Sequence, residues 1–408
     1  MPFPPDGAAT TNHSTPRSED RGIPGVSTER HLFPDLKIGV SRRERIKITG
    51  VDIHVYDLPL QQPFRIAIGT MHAANDVLVR IHTDAGITGI GEACPFPPIT
   101  GETQETNIAA AKALRGIVLG KNPLAIESLV REFGTIVHSN PGAAAAFETA
   151  LFDILGQAAG LPLYKLWGGD KTSFETDITA DLDEPDIMAA RAKGFVEAGF
   201  SMIKVKVGQG RDIDLQRLEA IRAAVGNSVR LQIDANQGWA PSVAVDALKK
   251  MERFDILFCE QPVLASDMAG LKAVTARSPI PIMADEAVYS PADAFKLAKA
   301  EACDSFNIKL MKAGGLLAMI KIAHLAEAAN KSCMVGCMLE SRIALTAAAH
   351  VAAAHKNILW ADLDGHSSHS IDPVVGGMTF SRGVVTLPEG PGLGADIDPV
   401  FLKTLRLV

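Results

Sequence analysis

Lys204, Lys206, Asp234, Glu260, Asp285 and Lys309 are the residues of this chain whose types and spacing point to chemistry. From Lys206 onward the steps are 28, 26, 25 and 24 residues, each about the length of one strand and one helix. Each residue closes a short apolar run, as in Leu231-Gln232-Ile233-Asp234 and Ile282-Met283-Ala284-Asp285. Three carboxylates brought to one point repel and raise one another's pKa. A hard divalent cation relieves that repulsion, and an all-oxygen donor set favours Mg2+ or Mn2+ over zinc. Lys204 and Lys206, two apart on a strand, point to the same face, and Lys309 arrives from the opposite side. A nearby cation and partial burial are expected to lower a lysine's pKa towards that of a general base. A cation beside a substrate carboxylate stabilises the enediolate that forms when the α-proton leaves. Two bases on opposite faces of that carbon can take the proton from one side and return it on the other, as racemisation or epimerisation requires. Asn236 and Gln261, next to two of the acids, are expected to orient them. Taken singly, a strand-end Asp is ordinarily a turn or cap residue and a lysine there a solvated one. The inference rests on five such residues falling in phase with five consecutive repeats.

That phase needs elements to set it. From residue 175, short apolar runs at 176–180, 202–207, 230–234, 257–260, 282–285, 305–310, 333–336 and 359–362 alternate with amphipathic helical stretches. Eight strands with helices between them predict an α/β fold, a parallel sheet closed into a barrel whose C-terminal strand ends hold the active site, over residues 175–365. Before it, period-2 runs at 51–58 and 77–83 and a helical pattern at 143–159 predict an α+β domain over 46–165. Residues 1–45 are rich in Pro, Ser, Thr and Arg without periodicity and are expected to form a disordered tail. Residues 366–408 hold no further β/α unit. They carry a strand-like stretch at 383–387 and are expected to return to the first domain.

The chain has 408 residues, room for two domains, and 47% hydrophobic with 21% charged residues suits a globular protein. A net charge of −7 leaves no basic surplus for a phosphate backbone, so no nucleic-acid partner is expected. No apolar run reaches the roughly 20 residues of a membrane span, and the N-terminal stretch lacks a signal-peptide core. Five scattered cysteines without zinc-site spacing fit reduced thiols and a cytoplasmic location.

The pieces Lys204-Val205-Lys206, Asp234-Ala235-Asn236-Gln237-Gly238-Trp239, Glu260-Gln261-Pro262, Ala284-Asp285-Glu286 and Asn307-Ile308-Lys309 together resemble the enolase superfamily, muconate-lactonising-enzyme subgroup, over residues 46–400. The resemblance implies an α+β capping domain over a modified (β/α)7β TIM-like barrel. It also implies one Mg2+ per subunit on Asp234, Glu260 and Asp285, with Mn2+ able to substitute. Lys206 and Lys309 would be the acid/base pair, and Lys204 would touch the substrate carboxylate. A homo-oligomer is expected.

Within the subgroup the chain is most like the dipeptide epimerases, the L-Ala-D/L-Glu epimerases among them. Asp362-Leu363-Asp364 carries that likeness, since an Asp-x-Asp pair at this place holds the free ammonium of a dipeptide. Two same-face carboxylates at a barrel mouth attract a cation. Gly336-Cys337-Met338-Leu339-Glu340 fits the seventh-strand segment and puts Cys337 and Met338 at the substrate. Arg65-Ile66-Ala67-Ile68-Gly69-Thr70 corresponds to the specificity loop, and Gly69 stands where relatives acting on Ala-Glu carry an arginine. Arg65, His366 and His369 are further candidates for substrate contacts. The expected activity is epimerisation at the C-terminal residue of a dipeptide. Its rivals are an N-acylamino-acid racemase, a cycloisomerase or a dehydratase of the same superfamily, and a catalytically silent barrel.

Overall fold

Alternating apolar residues, among them Val51, Ile53, Val77, Val79 and Ile81, bury one face of a long antiparallel hairpin. The computed structural model describes residues 46–66 and 69–408; the expected tail at 1–45 and loop residues Ala67 and Ile68 lie outside the described residues. Strands β1 (Ile48–Ile66), β2 (Gly69–Thr83) and β3 (Thr88–Ala93) form a three-stranded sheet in that order. The sheet packs on the alanine-rich helix Pro141–Ala159. A Cβ at Gly89 or Gly91 would lie 2.0 Å from the Ala150 carbonyl oxygen or 1.9 Å from that of Ala146, so only glycine lets β3 rest directly on the helix.

After β4 (Ser173–Glu175) comes the barrel: β5 (Ile178–Ala180), β6 (Met202–Lys206), β7 (Arg230–Asp234), β8 (Ile256–Glu260), β9 (Ile282–Ala284), β10 (Ser305–Lys309), β11 (Ser332–Gly336) and β12 (Ile358–Asp362). All eight expected strands are present, parallel and side by side in sequence order. The ends of the sheet meet, with Asp177 N–H donating to Ala361 O (3.1 Å) and Leu363 N–H to Thr176 Oγ1 (2.9 Å). Each gap between strands holds a helix of at least eight residues. Proline at the first helical turn starts Pro185–Glu197, Pro241–Met251 and Pro291–Ala300, and Ser290 and Ser341 cap the helices that follow them.

This order fixes the compass of the barrel mouth. In a ring of eight, β6 and β10 stand four strands apart and face each other. β7, β8 and β9 fill the arc between them on one side, and β11, β12 and β5 the other.

The C-terminal segment divides. Val55 N–H donates to Arg406 O and Val408 N–H to Ile53 O, both at 2.9 Å, and Arg80 pairs with Asp396, so this part does reach the capping sheet. The expected strand at 383–387 goes elsewhere: Val384–Thr386 pairs with Thr379–Ser381 and with β4 on the barrel side. There Val385 is fully buried, and Phe380 meets the Phe200 ring at 5.5 Å.

Candidate active site

Lateral register sets the reactive residues in one layer. Lys206 lies beside Asp234, which lies beside Glu260, and Lys309 lies beside Gly336, itself beside Asp362. Asp285 follows the last residue of β9. Lys204, Lys206, Lys309 and Asp362 line a pocket together with Asn236, Thr179, Cys337, Met338 and Asp364. The three lysines are 2%, 5% and 7% exposed, so none is a solvated surface group.

Asp234, Glu260 and Asp285 each present an oxygen within 4.8 Å of the others. Lys206 Nζ donates to Asp234 Oδ2 (2.7 Å) and Asn236 Oδ1 (3.1 Å). Lys204 Nζ reaches Asp234 Oδ2 (3.1 Å), Glu260 Oε2 (2.9 Å) and Asp362 Oδ2 (2.9 Å). Lys309 Nζ stands 2.9 Å from Asp285 Oδ2. Burial would raise Asp234, but the Lys206 and Lys204 charges outweigh it and hold its carboxyl at about 2. Asp285 is held low in the same way by Lys309 and Lys312. Glu260 goes the other way: burial and then the Asp234 charge push it up to about 8.

Glu260 Oε2 and Asp285 Oδ2 are buried without an aligned hydrogen bond, although lysines stand at ion-pair distance. Three convergent carboxylates with such oxygens fit a hard divalent cation.

Burial pulls Lys309 down, but among the protein's own groups the Asp285 and Glu260 carboxylates outweigh that and hold its ammonium above the usual range.

The supporting side chains differ in part from expectation. Asn236 offers its backbone N–H to Asp234 Oδ1 (2.9 Å), while its side chain receives Lys206 and donates to Glu286 Oε1 (3.1 Å). Gln261 does not orient its neighbour Glu260. Its Oε1 accepts from the backbone N–H groups of Asp285 (2.9 Å) and Ala287 (3.1 Å), fixing the turn that carries the next acid. Asn236 and Gln261 have φ of 39° and 32°, so the chain turns through the left-handed region straight after each acid-bearing strand. Glu260 is oriented by Asn307, whose Nδ2 donates to Oε1 at 2.7 Å. Gly336 makes room for that amide, since a Cβ there would lie 2.4 Å from Asn307 Oδ1.

Lys312, absent from the sequence-derived set, donates to the Asp285 carboxylate and backbone carbonyl and to Asn307 O, and burial lowers its pKa. Its one sequence signal is a charge inside the apolar run Leu310-Met311-Lys312-Ala313. Glu286, pushed up to about 7 by burial and by Asp285, is a second residue missed.

Asp362 and Asp364 come together, with Cys337, within 4.8 Å. Asp362 is tied to Lys204. Asp364 Oδ2 accepts from Thr179 N–H at 2.7 Å, and burial and the Asp362 charge push its carboxyl up to about 6. The remaining candidates lie apart. Arg65 is exposed on β1, and His366 packs edge-on against Phe380. His369 is buried with Nε2 2.9 Å from Leu339 O. None of the three lines the pocket. No helix among the described residues is long and apolar enough to cross a membrane.

The sequence matches "Mandelate racemase / muconate lactonizing enzyme, N-terminal domain" over residues 48–168 and "Enolase C-terminal domain-like" over 187–400. A dipeptide epimerase from Cytophaga hutchinsonii, solved with Mg and D-Ala-L-Val, is 40% identical with a TM-score of 0.87, covering 89% of this chain and 99% of that one. One from Enterococcus faecalis, solved with Mg and L-Leu-L-Tyr, is 41% identical with a TM-score of 0.84, covering 86% and 99%. The L-Ala-D/L-Glu epimerase of Bacillus subtilis is 42% identical over 86% of this chain and 96% of its own length. Relatives at nearly equal identity thus bear different dipeptides, and likeness alone does not choose among them.

Proposed function

The chain belongs to the mandelate racemase/muconate lactonizing enzyme family of the enolase superfamily, and from that premise we propose that it is a Mg2+-dependent dipeptide epimerase inverting the α-carbon of the C-terminal residue. The carrying observation is the stance of Lys206 and Lys309 on facing strands, with three acids on one arc between them and the Asp362/Asp364 pair on the other. A dipeptide laid across the mouth would direct its carboxylate to the β7–β9 arc and its ammonium to β12. Its C-terminal α-carbon would then lie between the lysines.

Asp234, Glu260 and Asp285 would hold the ion. Bound there, a divalent cation offsets the second negative charge that the substrate carboxylate gathers as the proton leaves. Lys206, steadied by Asp234 and Asn236, works one face of the α-carbon, and Lys309, steadied by Asp285, works the other. One lysine accepts the α-proton as the other delivers its own, and reversing the roles returns the first epimer. Lys204, bridging both arcs, positions the substrate carboxylate. Asp362 and Asp364 supply the counter-charge for a free ammonium, which an N-acylamino acid lacks, and this supports a dipeptide over an N-acyl substrate. Five buried, unpaired thiols support a reducing compartment, the cytoplasm.

The test offers a panel of free L,L-dipeptides and their N-acetylated single-residue counterparts, with Mg2+ or with chelator, and follows epimers by chiral chromatography. The expected outcome is L,D product from free dipeptides, lost on chelation. Preference for an N-acetylamino acid over every free dipeptide would refute the assignment.

A further inference from the structure

We propose that the residue undergoing epimerisation carries an apolar, uncharged side chain, received by a wall that the capping domain builds from Phe64, Ile66, Phe96 and Ile99. The inference rests on the epimerase reading and deepens it. When the α-proton has left, the α-carbon is planar, with three substituents in the plane and one lysine over each face. The carboxylate takes the direction of the β7–β9 acids and the amide nitrogen that of β12. The third direction, the side chain's, leads out of the mouth towards the cap.

Among the described residues the cap lines the pocket with those four side chains alone, and all are apolar. Phe64 and Ile66 alternate on β1 and so share a face; Phe96 and Ile99 follow β3. Phe96 and Ile66 are buried, whereas Phe64 and Ile99 are only partly covered, leaving apolar surface turned to a ligand. Among the described residues every cation on the pocket is a barrel lysine already facing acids: Lys204 meets three, Lys206 meets Asp234 and Lys309 meets Asp285. A glutamate side chain directed at the cap would lose its water and find no partner among the described residues there, and a lysine or arginine side chain would find no carboxylate among them. Burying a charge unpaired is far costlier than burying a methylene chain. The exposed Arg65 is not on the lining, and the sequence between Ile66 and Gly69, Ala67-Ile68, carries no charge.

The experiment measures kcat/KM for L-Ala-X with X as Val, Leu, Phe, Glu or Lys, with Mg2+, for the wild type, Ile99→Arg and Phe64→Ala. The wild type should prefer Leu or Phe over Glu and Lys by roughly a hundredfold, the scale set by an unpaired buried charge. Ile99→Arg should raise Glu relative to Leu by about tenfold or more, as one new charge-assisted pair does. Phe64→Ala, which tests the wall without adding a charge, should lower the Leu value about tenfold, as lost apolar contact in a pocket does, with Mg2+ affinity unchanged by calorimetry. Turnover of Glu or Lys equal to or above that of Leu overturns this inference and leaves the epimerase reading standing. So does the absence of any shift in both variants. Failure to epimerise every dipeptide overturns the epimerase reading itself.

Discussion

The barrel and the cap meet the same pocket with opposite chemistry. On the barrel side, Lys204 lies within β6, while Lys206, Lys309, Asp362 and Asp364 stand at or just beyond the ends of strands whose backbones are fixed by lateral hydrogen bonds; the lysines and Asp362 are paired with opposite charges, and Asp364 is held by the Thr179 N–H. On the cap side, Phe64, Ile66, Phe96 and Ile99 come from a hairpin strand and from the turn after β3, and none bears a charge. Proton transfer needs groups held to a fraction of an ångström, which strand ends provide. Choice of side chain needs only a wall of suitable polarity. A fold divided in this way can keep its reaction while its substrate changes.

The sharpest way to break the comparison is to remove a base. Lys206→Ala or Lys309→Ala should slow epimerisation by about 10²–10⁴-fold, the usual contribution of a positioned acid/base group. Each variant should still exchange the α-proton of one epimer, and a different one in the two variants. Stopped chiral assays alongside proton exchange by NMR read both effects. Loss of neither exchange in either variant would move a dehydratase or cycloisomerase ahead.

Replacing both Asp362 and Asp364 by Asn should reduce kcat/KM for a free dipeptide by roughly tenfold to a few hundredfold. A partly desolvated carboxylate–ammonium contact contributes about 1.5–3 kcal/mol. Mg2+ binding should survive, and an N-acetylated analogue should react no worse than before.

Lys312→Met leaves all three acids in place but frees Asp285, so Mg2+ affinity by calorimetry should fall about 10–100-fold, as outer support of a metal ligand commonly does. An unchanged affinity would reduce Lys312 to a packing residue.

The mildest effect concerns pH. Asp364 lies above its ordinary value, at about 6, because it is buried beside Asp362. It is therefore charged above that pH and neutral below it. As pH falls through 6, kcat/KM for a free dipeptide should decline by at most about tenfold per unit as one counter-charge is lost. The N-acetylated analogue should not share that limb.

How much of this was legible in the sequence follows the same division. The barrel was readable because its strands recur at one β/α period and each carries a polar residue in phase, so Asp234, Glu260, Asp285 and both lysines emerge from spacing alone. Lys312 did not emerge because it lies three residues past Lys309, on the one-turn helix Leu310–Ala313, out of phase with every strand. The position of Gln261 beside Glu260 suggests support for that neighbour, yet its amide acts on the next β/α unit, a relation that the lateral pairing of β8 with β9 creates. The apolar wall was invisible for another reason: Phe64 and Ile66 alternate as any half-buried strand does, and nothing local distinguishes a ligand wall from core. The chemistry of His366 and His369 suggests substrate contacts, yet neither lines the pocket. The C-terminal strand was seen, but its partner β4 lies some two hundred residues earlier, beyond any local signal.

The central claim is that two lysines work opposite faces of one α-carbon, and deuterium reads it directly. A free L,L-dipeptide with an apolar C-terminal residue, incubated with the protein and Mg2+ in D2O, should yield both L,L and L,D forms. Mass spectrometry and NMR should find both deuterated at the C-terminal α-carbon and nowhere else. Deuterium entering the L,L form alone, with no L,D product at any time, would contradict a two-base epimerase.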